Sequence, residues 1–415
     1  MGKYVIKGGK KLSGSVRIDS AKNAILPMIA ATILTKEEVV IKSCPPLLDV
    51  LSMIDILGKL GVSAYFQNGD LIVNSKGFNC EALTEDFTKK LRTSILMLGA
   101  LLGRCGKAKL TYPGGCEIGK RPIDIHLQAL KGLGVEVLDN GSEIVCAVDK
   151  IKGGDITLSY PSVGATENLL LASVISEGVT RIKNYAKEPE VIDLINMLCS
   201  MGAKIGVTDK CIEIIGVKSL HGTEYRPIPD RIEAGTFLLS ALITGGEVEI
   251  KGVNAKNILP LINKFCNSTC NISIFSDIIY IKSGKERKPF NLTTGPYPMF
   301  PTDLQAQTTV LSSLANGVSI IKENVFENRF GYTKELIKMG ARLSVKGDTA
   351  TIIGVEKLQG AKVTAKDLRG GAALVLAGLS ADGVTEVDGT LHIDRGYFEF
   401  DKKLRALGAD IEKYE

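Results

Sequence analysis

The chain has 415 residues, of which 45% are hydrophobic and 23% are charged, and its formal net charge is +5. This length is enough for two domains with large cores. The positive residues are dispersed, which favours an anionic small molecule over nucleic acid, a ligand that usually binds a concentrated basic face. No apolar run is long enough to span a bilayer and no signal core opens the chain, so we expect neither a membrane span nor a leader.

The nine cysteines and three histidines offer little for a metal centre. No C-x-x-C pair occurs and the histidines are far apart, so we expect no zinc site. Reduced thiols in a cytoplasmic chain are the expectation. We interpret Cys44, Cys105 and Cys199 as small core residues.

A glycine-rich loop at residues 113–124 carries Cys116 beside Lys120 and Arg121. Glycines let backbone N–H groups approach a ligand, and cations favour a thiolate and attract anions, so the loop predicts an anion site with a reactive thiol. A plain turn is the alternative. Arg121 stands where a P-loop needs Ser or Thr, and the glycines lack dinucleotide spacing, which excludes an ATPase and a nicotinamide site.

An internal repeat of six copies is the strongest organisational signal. In each copy a small-residue helix is followed by a strand, a loop, a second helix and another strand. Strands that alternate with helices predict an α/β fold, and six small copies divide into two domains of three. The first helices are predicted to begin near Lys22, Arg92, Gly164, Arg231, Thr302 and Asp367.

Glycines mark where the second helices end. In five copies we expect a glycine in the left-handed conformation that closes a helix; these are Gly61, Gly134, Gly202, Gly340 and Gly408. The fourth copy has no clear glycine stop. The proline-bearing segment 225–230 joins copies three and four and is the candidate boundary. If the N-terminal segment 3–16 pairs with the second half, the first half is an insertion.

Charged residues recur at two positions of the repeat, the start of the first helix and the loop before the second. Helix N-termini bind anions readily, so we expect these positions to converge on a ligand cleft between the domains. Ser162 and Thr302 are better interpreted as simple N-caps, and His126 and His392 as packing or hydrogen-bonded residues. Surface pairing or solvation is the alternative for Arg329 and Arg395.

Nine motifs are spread over the chain: SAKNA at 20–24, PGGC at 113–116 with Gly119, Arg121 and Pro122, SVGAT at 162–166, EPE at 188–190, PDRIE at 229–233, PTD at 301–303, FENRF at 326–330, DLR at 367–369 and HIDRGY at 392–397. With them the whole sequence resembles the UDP-N-acetylglucosamine 1-carboxyvinyltransferases of the enolpyruvyl transferase family. The resemblance implies a two-domain inside-out α/β barrel, each domain built of three β/α units in pseudo-threefold arrangement.

The resemblance also implies which residues form each domain and which part of the active site each domain carries. Residues 22–229 would form the domain that carries the cysteine loop as a mobile lid. Residues 1–21 with 230–415 would form the domain that carries the general base, with the active site in the cleft between them. The implied partners are two small molecules, phosphoenolpyruvate and UDP-N-acetylglucosamine, with no nucleic acid, membrane, metal or cofactor.

The implied reaction transfers enolpyruvate from phosphoenolpyruvate to the 3-hydroxyl of UDP-N-acetylglucosamine and releases phosphate through a tetrahedral ketal. It is the first committed step of peptidoglycan synthesis, and so of cell-wall biogenesis, cell shape and division, and it is the target of fosfomycin. The resemblance assigns Asp303 as the base for the hydroxyl. It assigns Cys116 as the acid for the methylene carbon, although Lys120 and Arg121 favour the thiolate.

The remaining assignments concern substrate binding. Arginine forks pair bidentately with phosphate and carboxylate, which suits the phosphoenolpyruvate set of Lys22, Asn23, Arg121, Arg369 and Arg395. Lys22 and Arg395 are also counted as catalytic. The sugar-nucleotide set is Asn23, Arg92, Arg121, Pro122, Ile123, Asp124, Ile125, Ser162, Val163, Gly164, Asp303 and Val325. Tyr160 departs from the family, whose common Gram-negative members carry a lysine there, so we expect stacking or hydrogen bonding by Tyr160 in place of a lysine contact to the diphosphate.

Two other functions remain open. One is 5-enolpyruvylshikimate-3-phosphate synthase, which shares the fold and half of the reaction but lacks the cysteine loop. The other is a catalytically silent regulator that binds a sugar nucleotide. The presence of Lys22, Cys116, Asp303 and Arg395 together in one chain argues against the regulator.

Overall fold

The computed structural model is a mixed α/β chain. It describes residues 2–82, 94–111, 123–141, 143–266, 270–284 and 286–415. Within these ranges no helix has the length and apolar character needed to cross a membrane.

The strands are short, and the inward-facing residues of most of them are buried. In chain order they are β1 (Lys3–Lys7), β2 (Ser13–Arg17), β3 (Glu38–Ile41), β4 (Ser63–Gln67), β5 (Asp70–Asn74), β6 (Lys107–Thr111), β7 (Glu136–Asp139), β8 (Glu143–Ala147), β9 (Gly154–Thr157), β10 (Val179–Lys183), β11 (Lys204–Val207), β12 (Cys211–Ile215), β13 (Thr223–Tyr225), β14 (Glu247–Lys251), β15 (Cys270–Phe275), β16 (Ile278–Ser283), β17 (Asn291–Thr293), β18 (Val318–Lys322), β19 (Arg342–Lys346), β20 (Thr349–Ile353), β21 (Lys362–Thr364), β22 (Val384–Asp388) and β23 (Asp410–Tyr414).

The helices alternate with these strands, as the repeat predicts. They are α1 (Lys22–Ala31), α2 (Leu48–Lys59), α3 (Ser94–Cys105), α4 (Asp124–Lys131), α5 (Val163–Ser173), α6 (Pro189–Ser200), α7 (Arg231–Thr244), α8 (Leu259–Phe265), α9 (Gln305–Ser313), α10 (Thr333–Lys338), α11 (Leu368–Ser380), α12 (Thr390–Asp394) and α13 (Phe400–Ala406). Short 3-10 turns precede α8 and α9.

One strand order recurs in five four-stranded sheets of the described chain. The orders are β13-β3-β5-β4, β9-β10-β12-β11, β2-β14-β16-β15, β17-β18-β20-β19 and β21-β22-β1-β23. In each, the first two strands are parallel and the following pairs are antiparallel. The remaining described sheet, β6-β8-β7, is antiparallel.

The N-terminal segment forms two strands, and both pair with the second half of the chain. β1 lies antiparallel between β22 and β23, and β2 runs parallel to β14. Contacts divide the described chain into two compact units, one of residues 2–19 with 229–415 and one running from Ser20 to Ile228. The lid predicted for one domain, the general base predicted for the other and the active site predicted between them stay predictions.

The central helices of each unit are buried almost all round. In one unit α3 and α5 meet through glycines: a Cβ added at Gly99 would lie 2.1 Å from the carbonyl oxygen of Asn168, and one at Gly103 2.8 Å from that of Leu171. In the other, α9 carries six buried polar residues. Hydroxyls of four of them donate to helix carbonyls one turn earlier, so these four hydroxyls are satisfied within the helix.

The predicted glycine stops are confirmed. After α2, α4, α6, α10 and α13 the five glycines have φ values between 78° and 99°, a region that favours a residue without Cβ. In the fourth copy, α8 ends at Phe265 and its C-cap is Cys266, which has a negative φ instead.

The expectation of reduced thiols is wrong for Cys80 and Cys105, which form a disulfide. The end of α3 lies next to the 3-10 turn at Cys80. The Cα atoms of Cys80 and Cys105 are 5.9 Å apart, a distance that suits a disulfide. Cys105 is therefore not a free core thiol, and Cys199 is exposed. Cys44 is buried as predicted, and burial raises its pKa to about 12.

We expect the denatured chain to show two more reactive thiols after reduction than before it, because one disulfide holds two sulfurs. Colorimetric thiol titration in denaturant measures this directly. The double variant Cys80→Ser/Cys105→Ser serves as the control, since it should show no such increase. An equal thiol count before and after reduction in the unaltered chain would contradict the disulfide.

Candidate active site

Asp303 lies between two buried arginines just before α9. One carboxylate oxygen accepts from Arg329 Nη2 at 2.8 Å, and the other accepts from Arg369 Nη2 at 2.9 Å. The arginine side chains are 3% and 5% exposed, whereas that of Asp303 is 25% exposed. Two charge-assisted bonds fix the carboxylate, and a quarter of the side chain remains exposed. Arg329 is thus buried and paired, so the interpretation of it as a surface residue is wrong.

Arg369 is held from two further sides. It occupies the first turn of α11, whose N-cap Asp367 accepts from the backbone N–H groups of Arg369 and Gly370, a cap that contributes about 1 kcal/mol. Its guanidinium lies 5.5 Å from the ring centroid of Tyr397. Burial alone would lower the pKa of Arg369, but the negative charge of Asp303 and the contact with Tyr397 outweigh burial and raise it.

Glu323 lies beside the predicted site residue Val325, and the repeat pattern did not reveal it. Its buried carboxylate accepts from the N–H groups of Val325 at 2.9 Å and Phe326 at 3.1 Å. It also accepts from the hydroxyl of Thr302 at 2.9 Å. Pro301 holds the N-cap position of the 3-10 turn, so the prediction of Thr302 as a simple N-cap is wrong. Glu323 instead shapes the loop that carries Val325.

Arg395 follows α12 directly and is half-buried. The preceding Asp394 accepts from Lys413 Nζ at 2.8 Å and from the hydroxyl of Tyr4 at 3.4 Å. These contacts tie the end of α12 to β23 and β1. The chain ends therefore fix the backbone from which Arg395 projects.

In the other unit, Lys22 is the first residue of α1 and Asn23 the second. Lys22 Nζ lies 2.6 Å from Asp49 Oδ2 in the first turn of α2, and both side chains are at most 10% exposed. A buried ammonium needs an anionic partner, and Asp49 supplies one for Lys22. Sequence reasoning missed Asp49, which carries no motif signal. Asn23 is half-buried.

The predicted nucleotide residues begin two helices of this unit. Ser162 is the N-cap of α5 and its hydroxyl accepts from the Ala165 N–H, which confirms the cap prediction. Val163 and Gly164 form the first turn. Ile123 stands at the N-cap position of α4 and is buried, Asp124 is exposed, and Ile125 is half-buried. Tyr160, which stands in place of the lysine discussed above, is 37% exposed.

Three glutamates gather near the starts of α5 and α6. Glu188 holds the N-cap position of α6, Glu190 lies in its first turn, and Glu167 follows the first turn of α5. Burial, with the charges of Glu190 and Glu188, raises the pKa of Glu167 well above its ordinary value.

Part of the predicted site lies outside the described residues: Arg92, Cys116, Lys120, Arg121 and Pro122. Among the residues that are described, no cluster of three or more His, Cys, Asp or Glu side chains could hold a metal ion. The described charged groups include the Lys22–Asp49 pair and the Asp303 carboxylate with its two arginines. Such groups can bind phosphate or carboxylate and accept a proton.

The chain belongs to the family whose model is described as EPSP synthase (3-phosphoshikimate 1-carboxyvinyltransferase), which matches residues 6–404. Within this family it is similar to UDP-N-acetylglucosamine 1-carboxyvinyltransferase 2 of Caldanaerobacter subterraneus, with 48% identity over 413 residues and 99% of each chain covered. It is 46% identical over 418 residues to UDP-N-acetylglucosamine 1-carboxyvinyltransferase 1 of Clostridium acetobutylicum, with 100% of each chain covered.

A solved structure supports the same fold. The enolpyruvyl transferase NikO from Streptomyces tendae matches with a TM-score of 0.89, covering 100% of this chain and 99% of that one at 24% identity.

Proposed function

We propose that this chain transfers the enolpyruvyl group of phosphoenolpyruvate to the 3-hydroxyl of UDP-N-acetylglucosamine and releases phosphate. The observation that carries the proposal is the Asp303 carboxylate, fixed between Arg329 and Arg369 and still partly exposed. A positioned carboxylate is what deprotonation of a sugar hydroxyl needs. Full-length relatives with the corresponding name support the choice of substrate.

The proposed chemistry has two stages. In the first, Asp303 takes the proton of the 3-hydroxyl while that oxygen bonds to C2 of phosphoenolpyruvate, and Cys116 gives a proton to the methylene carbon. The product is a tetrahedral ketal. In the second, the carbon–oxygen bond to phosphate breaks and the phosphate takes the proton held by Asp303. The Cys116 thiolate takes a proton from the new methyl group, which restores the double bond and both starting states. Atoms and charges balance without a cofactor or a metal.

The cations have the task of neutralising the anionic substrate. Phosphoenolpyruvate brings a phosphate and a carboxylate, and we assign Lys22, Arg121, Arg369 and Arg395 to these groups, with Asn23 beside them. Asp49 supports the role of Lys22 because it holds the ammonium in one place. Arg369 is shared, since its guanidinium already holds Asp303. This sharing would link substrate binding to the position of the base.

The nucleotide would lie along the starts of α4 and α5, with Val325 and Asp303 on the sugar side and Arg92, Arg121 and Pro122 adding contacts. Ser162 supports this assignment, because its cap holds the first turn of α5 in place at the helix end that attracts an anion. We assign Tyr160 a stacking or hydrogen-bonding contact in place of the family lysine.

We also propose the finer fold, an inside-out α/β barrel with three β/α units around a pseudo-threefold axis in each domain. The strand order shared by five sheets supports repeated units. The proposed setting is peptidoglycan synthesis in the cytoplasm, with links to cell shape and division and with fosfomycin as an inhibitor.

The test is release of phosphate from phosphoenolpyruvate with different acceptors. We expect release with UDP-N-acetylglucosamine and none with shikimate 3-phosphate or without an acceptor. Release only with shikimate 3-phosphate would favour the other synthase. No release, together with tight binding of the sugar nucleotide, would favour the silent regulator.

A further inference from the structure

Asn168 is a fully buried amide in α5 that is bonded to α3. Its Oδ1 accepts from the Gly99 N–H at 2.6 Å, and its Nδ2 donates to the Ile95 carbonyl at 2.9 Å. Residues 95 and 99 are the i and i+4 partners of an α-helical hydrogen bond. The amide thus bonds to both groups of one backbone N–H and C=O pair of α3. Gly99 allows the backbones of α3 and α5 to approach there.

The same amide is also bonded to α4. Asn168 Nδ2 lies 2.9 Å from His126 Nδ1. Because Oδ1 already accepts from Gly99, the orientation of the amide is settled, and Nδ2 must be the donor to the ring. His126 Nδ1 is therefore the acceptor, and the ring proton resides on Nε2. Burial lowers the pKa of His126 to about 4, so the ring is neutral near pH 7.

The His126 ring in turn rests on the first turn of α5. A Cβ added at Gly164 would lie 2.8 Å from His126 Cε1 and 3.2 Å from Nε2. His126 is the third residue of α4, and Gly164 the second of α5. The ring therefore spaces the starts of these two helices, and its angle is set by the bond to Asn168.

We propose that Asn168 is a positioning residue for the nucleotide part of UDP-N-acetylglucosamine, acting through His126 to hold the starts of α4 and α5 in register. The inference rests on the proposed function, which makes these two helix starts the nucleotide site. The group recognised is a nucleoside diphosphate that carries a sugar. Asn168 itself touches no part of the ligand.

Only an amide meets all three demands at this position. Aspartate has the same shape and can accept from Gly99, but it cannot donate to Ile95 or to a bare His126 Nδ1. In Asn168→Asp the ring would have to present a proton on Nδ1 instead. This substitution therefore changes the tautomer while it keeps the side-chain volume.

The experiment compares the unaltered chain with Asn168→Asp. Nitrogen NMR of the labelled His126 imidazole should show the Nε2–H tautomer in the unaltered chain. In Asn168→Asp it should show a proton on Nδ1, and the ring should titrate at a higher pH. We expect KM for UDP-N-acetylglucosamine to rise about tenfold or more, as for a lost buried hydrogen bond. The KM for phosphoenolpyruvate and kcat should change by less than about threefold, a difference of under 1 kcal/mol.

Asn184→Asp is the matched control. It makes the same change at an exposed amide of this unit, which donates to the Leu158 carbonyl at 2.8 Å, and both KM values should stay unchanged. If Asn168→Asp does not fold, His126→Phe tests the same link, because it keeps a ring but removes Nδ1. It should raise the same KM selectively.

Three results would overturn the inference. One is a changed tautomer with an unchanged KM for the sugar nucleotide. The second is a rise of both KM values together with a fall of kcat, which would indicate general structural damage. The third is an unaffected KM in His126→Phe. Failure of the proposed function is distinguishable, because the unaltered chain would then release no phosphate with UDP-N-acetylglucosamine.

Discussion

Asp303→Asn is expected to lower kcat by about a thousandfold, within the range that a positioned general base contributes. An amide has no basic lone pair for the sugar hydroxyl. Its oxygen can still accept from one of the two arginines, so the side chain should keep its place. Steady-state phosphate release, measured well below the unfolding temperature, gives kcat. Binding of UDP-N-acetylglucosamine, measured by calorimetry, should remain within about threefold, a difference of under 1 kcal/mol.

Asp348→Asn is the control for this prediction. Asp348 is exposed in the same unit and lies 3.6 Å from Lys322 at the surface, so its loss should leave kcat unchanged. If Asp303→Asn instead abolished binding and kept turnover at saturating substrate, Asp303 would have to be reassigned to holding the sugar. The exchange also leaves Arg369 facing an amide, so we expect the melting temperature to fall.

Cys116→Ala is the second change with a large expected effect. If Cys116 gives a proton to the methylene carbon, its removal should lower turnover by at least about a hundredfold. Fosfomycin, an epoxide that the family's cysteine opens, should no longer label the chain. Mass spectrometry of the intact protein after exposure to fosfomycin measures the labelling, and phosphate release measures turnover.

Cys199→Ala removes an exposed thiol and serves as the control, with labelling and turnover both retained. Full turnover in Cys116→Ala would contradict the assignment of the proton donor. Labelling that persists in Cys116→Ala would show that another thiol is the reactive one. A thiolate at Cys116 would suit attack on the epoxide, so the pH dependence of labelling reports the protonation state of the thiol.

The features that the sequence predicted well are local ones. Each glycine stop depends on a single residue that tolerates positive φ, and five of them have it. The Ser162 cap depends on a hydroxyl three residues before the N–H that it accepts from. The alternation of helices and strands follows from apolar periodicity within a few turns. These signals are complete within short segments of chain.

The hydrogen-bond partners of the site residues could not be predicted from the sequence, because the partners are distant from each other along the chain. Asp303 is 26 residues from Arg329 and 66 from Arg369, and only the fold brings the three together. The aligned repeats placed these residues at related positions, but alignment does not say which charges pair. Arg329 was therefore open to interpretation as a surface residue. The Cys80–Cys105 disulfide escaped prediction for the same reason.

Asn168 shows a further limit. A lone asparagine within an apolar helix has no motif, and its importance lies in three hydrogen bonds to α3 and α4. Sequence periodicity identifies the buried face of α5 but not which buried polar group is shared. A buried amide that bridges several elements can be recognised only from the structure.

The central claim is transfer of the enolpyruvyl group to one particular oxygen. The direct measurement is carbon NMR of the product formed from phosphoenolpyruvate labelled at C2, with UDP-N-acetylglucosamine as the acceptor. We expect an enol ether whose labelled carbon couples to the proton on C3 of the sugar, with one phosphate released for each product. Label that stays in phosphoenolpyruvate, or enters only shikimate 3-phosphate when both acceptors are present, would contradict it.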